Sequence, residues 1–496
     1  MGTFFMQIIF SFVNCLFAVL LFLKTRAKQK YGRLPPGPAR LPIIGSILKI
    51  DMKKPYQTYA ELSKTYGSMF TVWLGTKPVV VISGFQTLKD TFVNLGEEFS
   101  GRENYPLIKH ATGGYGLTVS SGDRWKQLRR FSITTFKNFG MGRKTIENKI
   151  QKEAQCLVKA FSEFKDCTFN PKILISKAVF NVVCCILLDE RFEYDDPQLK
   201  FFSDAIEMYF NFLCATKGQL YNLFPAVFKF LPGSHHKVLE TVKKFKRYIR
   251  SQAEKYKDSF NVENPRNYIE AFMVQMHKEK DKPNSEFHLK NLEASAWNLF
   301  SAGTETTAST LRQSLLFMMK YPDVQERVYN EIADVIGTSR IPSVQDRQNM
   351  PYTDAVIHEV LRFMDLSPTA VPHKVLKDTE YNGYCIPEGT TVLPFLSSVL
   401  SDPKLWKNPT VFDPENFLDE NGHFKKNDAF LAFGLGKRVC IGEGLARMEL
   451  FIIFTSLLQR FSFIGTQPVE DIDINPFLGS FGRLPRSYQC YAKIHL

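Results

Sequence analysis

No C-x-x-C pair occurs in the sequence, and its nine cysteines (Cys15, Cys156, Cys167, Cys184, Cys185, Cys214, Cys385, Cys440 and Cys490) follow no regular spacing. An odd, irregular set argues against a disulfide framework, and the missing C-x-x-C argues against a zinc ribbon or a thioredoxin-like pair. Two other signatures fail on inspection. HEVLR, from His358 to Arg362, begins like a zinc-protease helix, but Arg362 stands where a second histidine is needed. GLGKRV, from Gly434 to Val439, has neither the third glycine of a dinucleotide loop nor the spacing of a P-loop. Repeats, low-complexity tracts and interdomain linkers are also missing. The longest stretch of low hydrophobicity, KEKDKPNS at residues 278–285, reads as a surface loop before a long helix. Length alone suggests roughly three domains at about 150 residues each. With 496 residues, 44% of them hydrophobic, and no linker, the chain instead predicts one large domain.

Formal charge is absent from residues 4–23, where only Gln7, Ser11 and Asn14 interrupt an apolar run. Twenty helical residues span about 30 Å, the thickness of a bilayer core. Lys24, Arg26, Lys28, Lys30 and Arg33 follow with no acidic residue among them, which places the rest of the chain on the cytoplasmic side. A cleaved signal would carry its cations before the apolar run and a small-residue cleavage site after it. The expected division is therefore a membrane anchor at 1–23, a basic and proline-rich connector at 24–45 that includes LPPGP, and a catalytic domain at 46–496. The net charge of +13, from 63 basic and 50 acidic residues, then points to a membrane surface or an acidic protein partner, not to nucleic acid.

One cysteine stands apart from the others. Cys440 lies in FGLGKRVCIG, with Gly436 before it and Gly442 after it. Such a loop can turn sharply and aim N–H groups at the sulfur, favouring a thiolate, which is a soft-metal ligand. Arg438 supplies a cation suited to a carboxylate. Taken alone, a glycine-flanked cysteine is more often structural. The full spacing F-x-x-G-x-R-x-C-x-G resembles the thiolate-haem signature of the cytochrome P450 superfamily.

Further segments extend the resemblance from LPPGP to the C-terminus. AGTETT, residues 302–307, falls within an apolar helical pattern that runs from Leu289 to Met318 and stops near Pro322, and its composition predicts a break in that helix. A kinked buried helix would account for it; so would an acid beside an alcohol, Glu305 and Thr306, able to relay protons. In the family, the matching pair has that catalytic role. EVLR places Glu359 and Arg362 on one helical face, as in the family's buried E-x-x-R pair. The expected third member of that scaffold is replaced by Asn416 in PENF, which can still donate to Glu359. WKQLRR resembles the W-x-x-x-R propionate clamp with Trp125 and Arg129, and Arg102 and His373 align with two further propionate contacts. FSGREN, RRFSITTFKNFGMG and FDPENFLDENGHFKK look closest to family 2, the microsomal monooxygenases.

The resemblance implies a mainly α fold with a small β lobe, behind one transmembrane helix. Residues 70–83 and 390–395 fit the sheet. It implies haem b with Cys440 as axial metal ligand, and electrons from NADPH through NADPH-cytochrome P450 reductase, with cytochrome b5 as a further candidate partner. The implied reaction inserts one oxygen atom of O₂ into a lipophilic small molecule at the endoplasmic reticulum membrane. Lys126, Arg130, Lys137, Arg143, Lys426, Lys437 and Arg447 match the basic reductase-facing side. Pocket walls are implied near residues 103–121, 201–230, 298–302, 367–371 and 479–481. A haem-thiolate isomerase or dehydratase, or a non-catalytic haem sensor or carrier, is the alternative.

Overall fold

The computed structural model describes residues 33–139, 144–257, 261–477, 479 and 482–495. The anchor expected at 1–23, most of the basic run after it, and Arg143 lie outside the described residues. Among the described residues no helix is long and apolar enough to cross a membrane. The described chain divides into two units, one made of residues up to 103 together with 369–395, the other of 104–368 together with 396–496.

In the first unit, the apolar run Val79 to Ile82 is buried at every position, without the alternation of a half-exposed strand. The reason is pairing on both sides. Strand β2 (Lys77–Ile82) pairs antiparallel with β1 (Met69–Leu74), and parallel with β7 (Thr391–Pro394), in register Val79 with Thr391. Gly75, at φ +66°, sits in the turn between β1 and β2, a left-handed conformation that favours glycine. The sheet is completed by β3 (Gly101–Arg102) and β4 (His373–Lys374) in the order β1-β2-β7-β4-β3; β5 (Thr379–Tyr381) and β6 (Tyr384–Ile386) form a separate hairpin. The helix Pro55–Tyr66 packs Tyr59 against Phe70 and Phe395, with ring centroids 6.4 and 6.1 Å apart.

The second unit is helical and is organised around Leu289–Lys320, 32 residues long and so about 48 Å from end to end. Its N-terminus is capped by the His288 ring, which accepts from the Asn291 amide at 3.3 Å, and its C-terminus is stopped by Pro322, which cannot continue the hydrogen-bond ladder. Helices Lys172–Leu187, Ser234–Tyr256, Pro351–Met364 and Glu443–Arg460 pack around it. Phe300 stacks on Phe180 at 5.2 Å, and Phe245 meets both Phe300 and Trp297 edge-on at 5.2 and 5.1 Å. Each such ring contributes roughly 1.5–3 kcal/mol by burial. Tyr209 also packs edge-on against Trp297, at 5.3 Å, so it belongs to this core. Strands β8 (Phe461–Gly465) and β9 (Cys490–Ile494) pair antiparallel. The expectation of a mainly helical fold with a small sheet holds. The break expected at residues 302–307 does not: the long helix runs through it without interruption.

Candidate functional site

A helix buried on all sides should expose nothing at its middle. Ser301, Thr304, Glu305 and the run from Thr307 to Met319 are indeed buried, yet Ala302 and Thr306 are exposed. They are one turn apart and share a face, so an open space lies against the helix at that point. The helix stays intact there because Thr306 turns its hydroxyl back onto the Ala302 carbonyl at 2.7 Å, and Thr310 does the same to Thr306 at 2.9 Å. The kink-free, back-bonded arrangement satisfies the hydroxyls without opening the ladder.

Glu305 and Thr306 are adjacent in sequence but leave the helix on different faces. Glu305 is buried and accepts a hydrogen bond from Ser309 Oγ at 2.9 Å, not from Thr306. Burial pushes its carboxyl up, while Arg312 and the Ser309 bond pull it down. The hydrogen bonds of the expected acid and alcohol thus run to different partners.

The cysteine loop is assembled from short-range turns. Gly434 and Gly436 take φ +78° and +67°, and Gly436–Arg438 forms one 3-10 turn. The Cys440 amide then donates to the Phe433 carbonyl at 2.9 Å, closing the loop, and the helix Glu443–Arg460 begins three residues later. Cys440 is exposed although its loop is set deep in the unit. Burial raises its thiol; the Gly442 and Glu443 amides and the Arg129 cation pull the other way, and Glu443 adds to the rise. The aimed amides expected from the sequence exist and oppose the effect of burial. A bound metal ion would act with them, since a coordinating thiol gives up its proton.

Trp125 and Arg129 lie on the helix Gly122–Asn138. Arg129 Nη2 donates to the Val439 carbonyl at 2.7 Å, and Arg438 stacks its guanidinium over Trp125 at 3.8 Å while donating to the Ser120 carbonyl at 2.7 Å. Four of the expected residues, Cys440, Arg438, Arg129 and Trp125, therefore form one group. Arg102 and His373 belong to the other unit, where they stand directly opposite each other on β3 and β4. Arg102 also donates to the Val371 carbonyl. His373 Nδ1 lies 2.6 Å from the Phe99 carbonyl, which can only accept, so Nδ1 carries a proton. Donation to a carboxylate through Nε2 then requires the imidazolium.

The Glu359–Arg362 pair is buried, and closes at 2.7 and 2.5 Å. Burial pushes the Glu359 carboxyl up and Arg362 pulls it back, helped by the Asp413 amide at 3.0 Å and Asn416 Nδ2 at 3.4 Å. Asn416 does occupy the third position, by a long bond. Arg362 also donates to the carbonyls of Leu400 and Pro409 at 2.7 and 3.0 Å.

Sequence reasoning placed residue 298 only in a pocket wall and missed Asn291 altogether. Asn298 Oδ1 accepts from the Leu117 and Thr118 amides at 3.0 and 3.2 Å, and Asn291 Oδ1 from Gly116 at 3.1 Å, so the loop before Trp125 is tied to the long helix. Gly116 is at φ +87°, and a Cβ there would lie 2.5 Å from Asn298 Oδ1. Two asparagines seven residues apart on a mostly apolar helix were the available signal. Arg447 donates to Glu443 at 3.0 Å and contacts His358 Nε2, so it ties the start of the helix Glu443–Arg460 to the helix Pro351–Met364.

These features fit a haem. A deep but uncovered thiol can reach a metal, two cations can meet propionates, and the exposed Ala302–Thr306 face leaves room for a planar group and a ligand.

Comparison with known proteins agrees in family and extent. The family profile described as Cytochrome P450 matches residues 35–491. The chain is similar to Cytochrome P450 2M1 of Oncorhynchus mykiss, at 59% identity over 490 residues, covering 99% of this chain and 97% of that protein. It is 44% identical to Cytochrome P450 2G1 of Rattus norvegicus over 475 residues, covering 96% of each. It is also 44% identical to Cytochrome P450 2C8 of Homo sapiens over 483 residues, covering 97% of this chain and 99% of that protein.

Proposed function

The chain belongs to the cytochrome P450 family, and from that membership we propose that Cys440 is the axial thiolate, with Arg438, Arg129 and Trp125, together with Arg102 and His373, as the propionate grip. The family makes the protein a haem-thiolate monooxygenase acting on lipophilic substrates, with haem b and with electrons from NADPH delivered by a redox partner. The observation that carries the residue assignment is the deep, uncovered Cys440 within a loop that Arg129 holds by the Val439 carbonyl.

Haem, held by Cys440, would supply O₂ activation. The chain's own residues do the rest. Arg129 and Trp125 fix the loop and, with Arg438, offset propionate charge. Glu305 sits in a buried site that strengthens its carboxyl's hold on a proton, and Ser309 orients it. Thr306, after releasing the Ala302 carbonyl, can accept a proton from a water and pass it into the open space. Because Glu305 and Thr306 point apart, a water or a rotamer change must link them.

We assign residues 1–23 to a membrane anchor, 24–45 to a connector and 46–496 to the catalytic domain, at the cytoplasmic face of the endoplasmic reticulum. NADPH-cytochrome P450 reductase is the proposed electron donor, with cytochrome b5 as a second. The test is spectroscopic. The reduced carbon monoxide complex should show the red-shifted Soret band of thiolate ligation, and Cys440→His should abolish it; a retained band would refute the assignment.

A further inference from the structure

Residues in or beside three of the pocket walls implied by the family, 201–230, 367–371 and 479–481, meet around one ion pair, with Asp365 buried and Arg483 partly so. Asp365 follows the helix Pro351–Met364 at φ +45°, a left-handed conformation uncommon for a non-glycine residue. Its Oδ2 accepts from the Ser397 hydroxyl and from Arg483 Nη1, the latter at 3.3 Å. The Arg483 amide donates to the Leu366 carbonyl at 2.9 Å, so side chain and backbone of one residue clamp the same turn. Gly482 packs there too: a Cβ on it would lie 3.2 Å from Leu366 O and 3.6 Å from Cys214 Sγ. A Cβ on Gly479 would lie 3.0 Å from the Cys214 Cβ and 2.7 Å from the Gly482 carbonyl. Cys214 ends the helix Pro197–Cys214.

Stability alone is a poor reason for this arrangement. Asp365 is buried, its Oδ1 has no hydrogen-bond partner among the described residues, and burial pushes its carboxyl up to about 6 against the pull of Arg483. Buried ion pairs roughly break even with apolar packing, while fixing geometry more tightly.

The geometry points to Arg483 as a specificity-determining positioning residue: through Asp365 and Leu366 it sets where Gly482 and Gly479 stand against the end of the Pro197–Cys214 helix, and so the room left for a large lipophilic ligand. This rests on the haem-thiolate reading proposed above and on the pocket walls that the family resemblance implies. The Arg483 bonds described here run to Asp365 and Leu366 and not to the cysteine loop, so its loss should spare ligands that need only the metal.

The test uses the full haem-loaded enzyme and two azole probes, read by the Soret shift on binding. Imidazole senses little beyond the iron; N-tritylimidazole also reaches the walls. Arg483→Ala should weaken N-tritylimidazole binding about tenfold or more, shift imidazole less than about twofold, and be rescued to within about threefold by Arg483→Lys. Equal change for both probes, or none for either, would overturn the inference. If Arg483→Ala lacks the red-shifted carbon monoxide band, Arg483→Gln is read by the same criteria, and loss of the band in both makes Arg483 a folding residue and also overturns it. Failure of the wild type to shift with imidazole would instead strike the haem-thiolate reading.

Discussion

Arg129 reaches the carbonyl of Val439 at 2.7 Å, one residue before the cysteine, from a helix more than 300 positions earlier in the chain. A charged donor on a backbone acceptor fixes the loop independently of any bound group. Arg129→Ala should therefore destabilise the fold by roughly 2 kcal/mol, as expected for a charge-assisted hydrogen bond. Urea unfolding followed by tryptophan emission measures this in the haem-free protein, and an unchanged midpoint would mean that the bond serves the haem alone.

The scaffold behind that loop should be unequal in its parts. Arg362→Ala leaves Glu359 buried and uncompensated, at a cost of roughly 3–5 kcal/mol. Asn416→Ala removes only a 3.4 Å bond and should cost under about 1 kcal/mol. Comparable losses for the two, in the same denaturation experiment, would show that Asn416 carries part of the charge balance.

Glu449 sits fully buried in the helix Glu443–Arg460, its Oε2 has no hydrogen-bond partner among the described residues, and burial pushes its carboxyl well above the usual range. The folded state therefore holds a proton that the unfolded chain releases above pH of about 4.3. Stability from this group is complete below that pH and lost as pH climbs toward the folded value. Between pH 5.5 and 7.5 the wild type should lose stability relative to Glu449→Gln by up to about 1.4 kcal/mol per pH unit. Parallel pH profiles for the two proteins would contradict it.

Thr306→Ala removes the hydroxyl exposed on the open face of the long helix. With a reductase and an oxidisable substrate, it should raise peroxide released per NADPH consumed, because protons arrive without their donor in place. Unaltered coupling across several substrates would leave Thr306 with only its bond to Ala302.

Lys126, Arg130, Lys137, Lys426 and Lys437 are exposed. Reversing Lys126, Arg130 and Lys437 to Glu should slow reductase-driven turnover while sparing turnover driven by added peroxide. Salt should mimic the substitution in the wild type, since exposed charges are screened over about 8 Å at physiological strength. Equal losses in the two assays would place the docking face elsewhere.

Periodicity made the long helix legible nearly to its ends, and β1, β2 and β7 could be read from β-branched runs. The Cys440 loop was legible because its glycines and cation have fixed spacing. The continuous path through residues 302–307 was not, because threonine's back-bonding competes with kinking and composition cannot say which wins. Nor could sequence show that Glu305 turns to Ser309, or that Arg447 is occupied by Glu443 and His358. Those are choices among partners brought close only by folding. The anchoring role of Asn298 escaped notice for the same reason: its partners are backbone amides of a distant loop.

The parallel pairing of β2 with β7 imposes an order on biogenesis. Val79 emerges from the ribosome long before Thr391, its ladder partner, exists. Until then β2 has an unpaired, apolar edge, the kind of surface that recruits foreign strands. The sheet can close only by a contact of very high sequence separation, which is intrinsically slow. Premature termination anywhere before residue 391 therefore leaves the same sticky edge. Chaperone demand should accordingly track the length of chain still to be made after β2, and the sheet should be the last part of its unit to gain protection from hydrogen exchange.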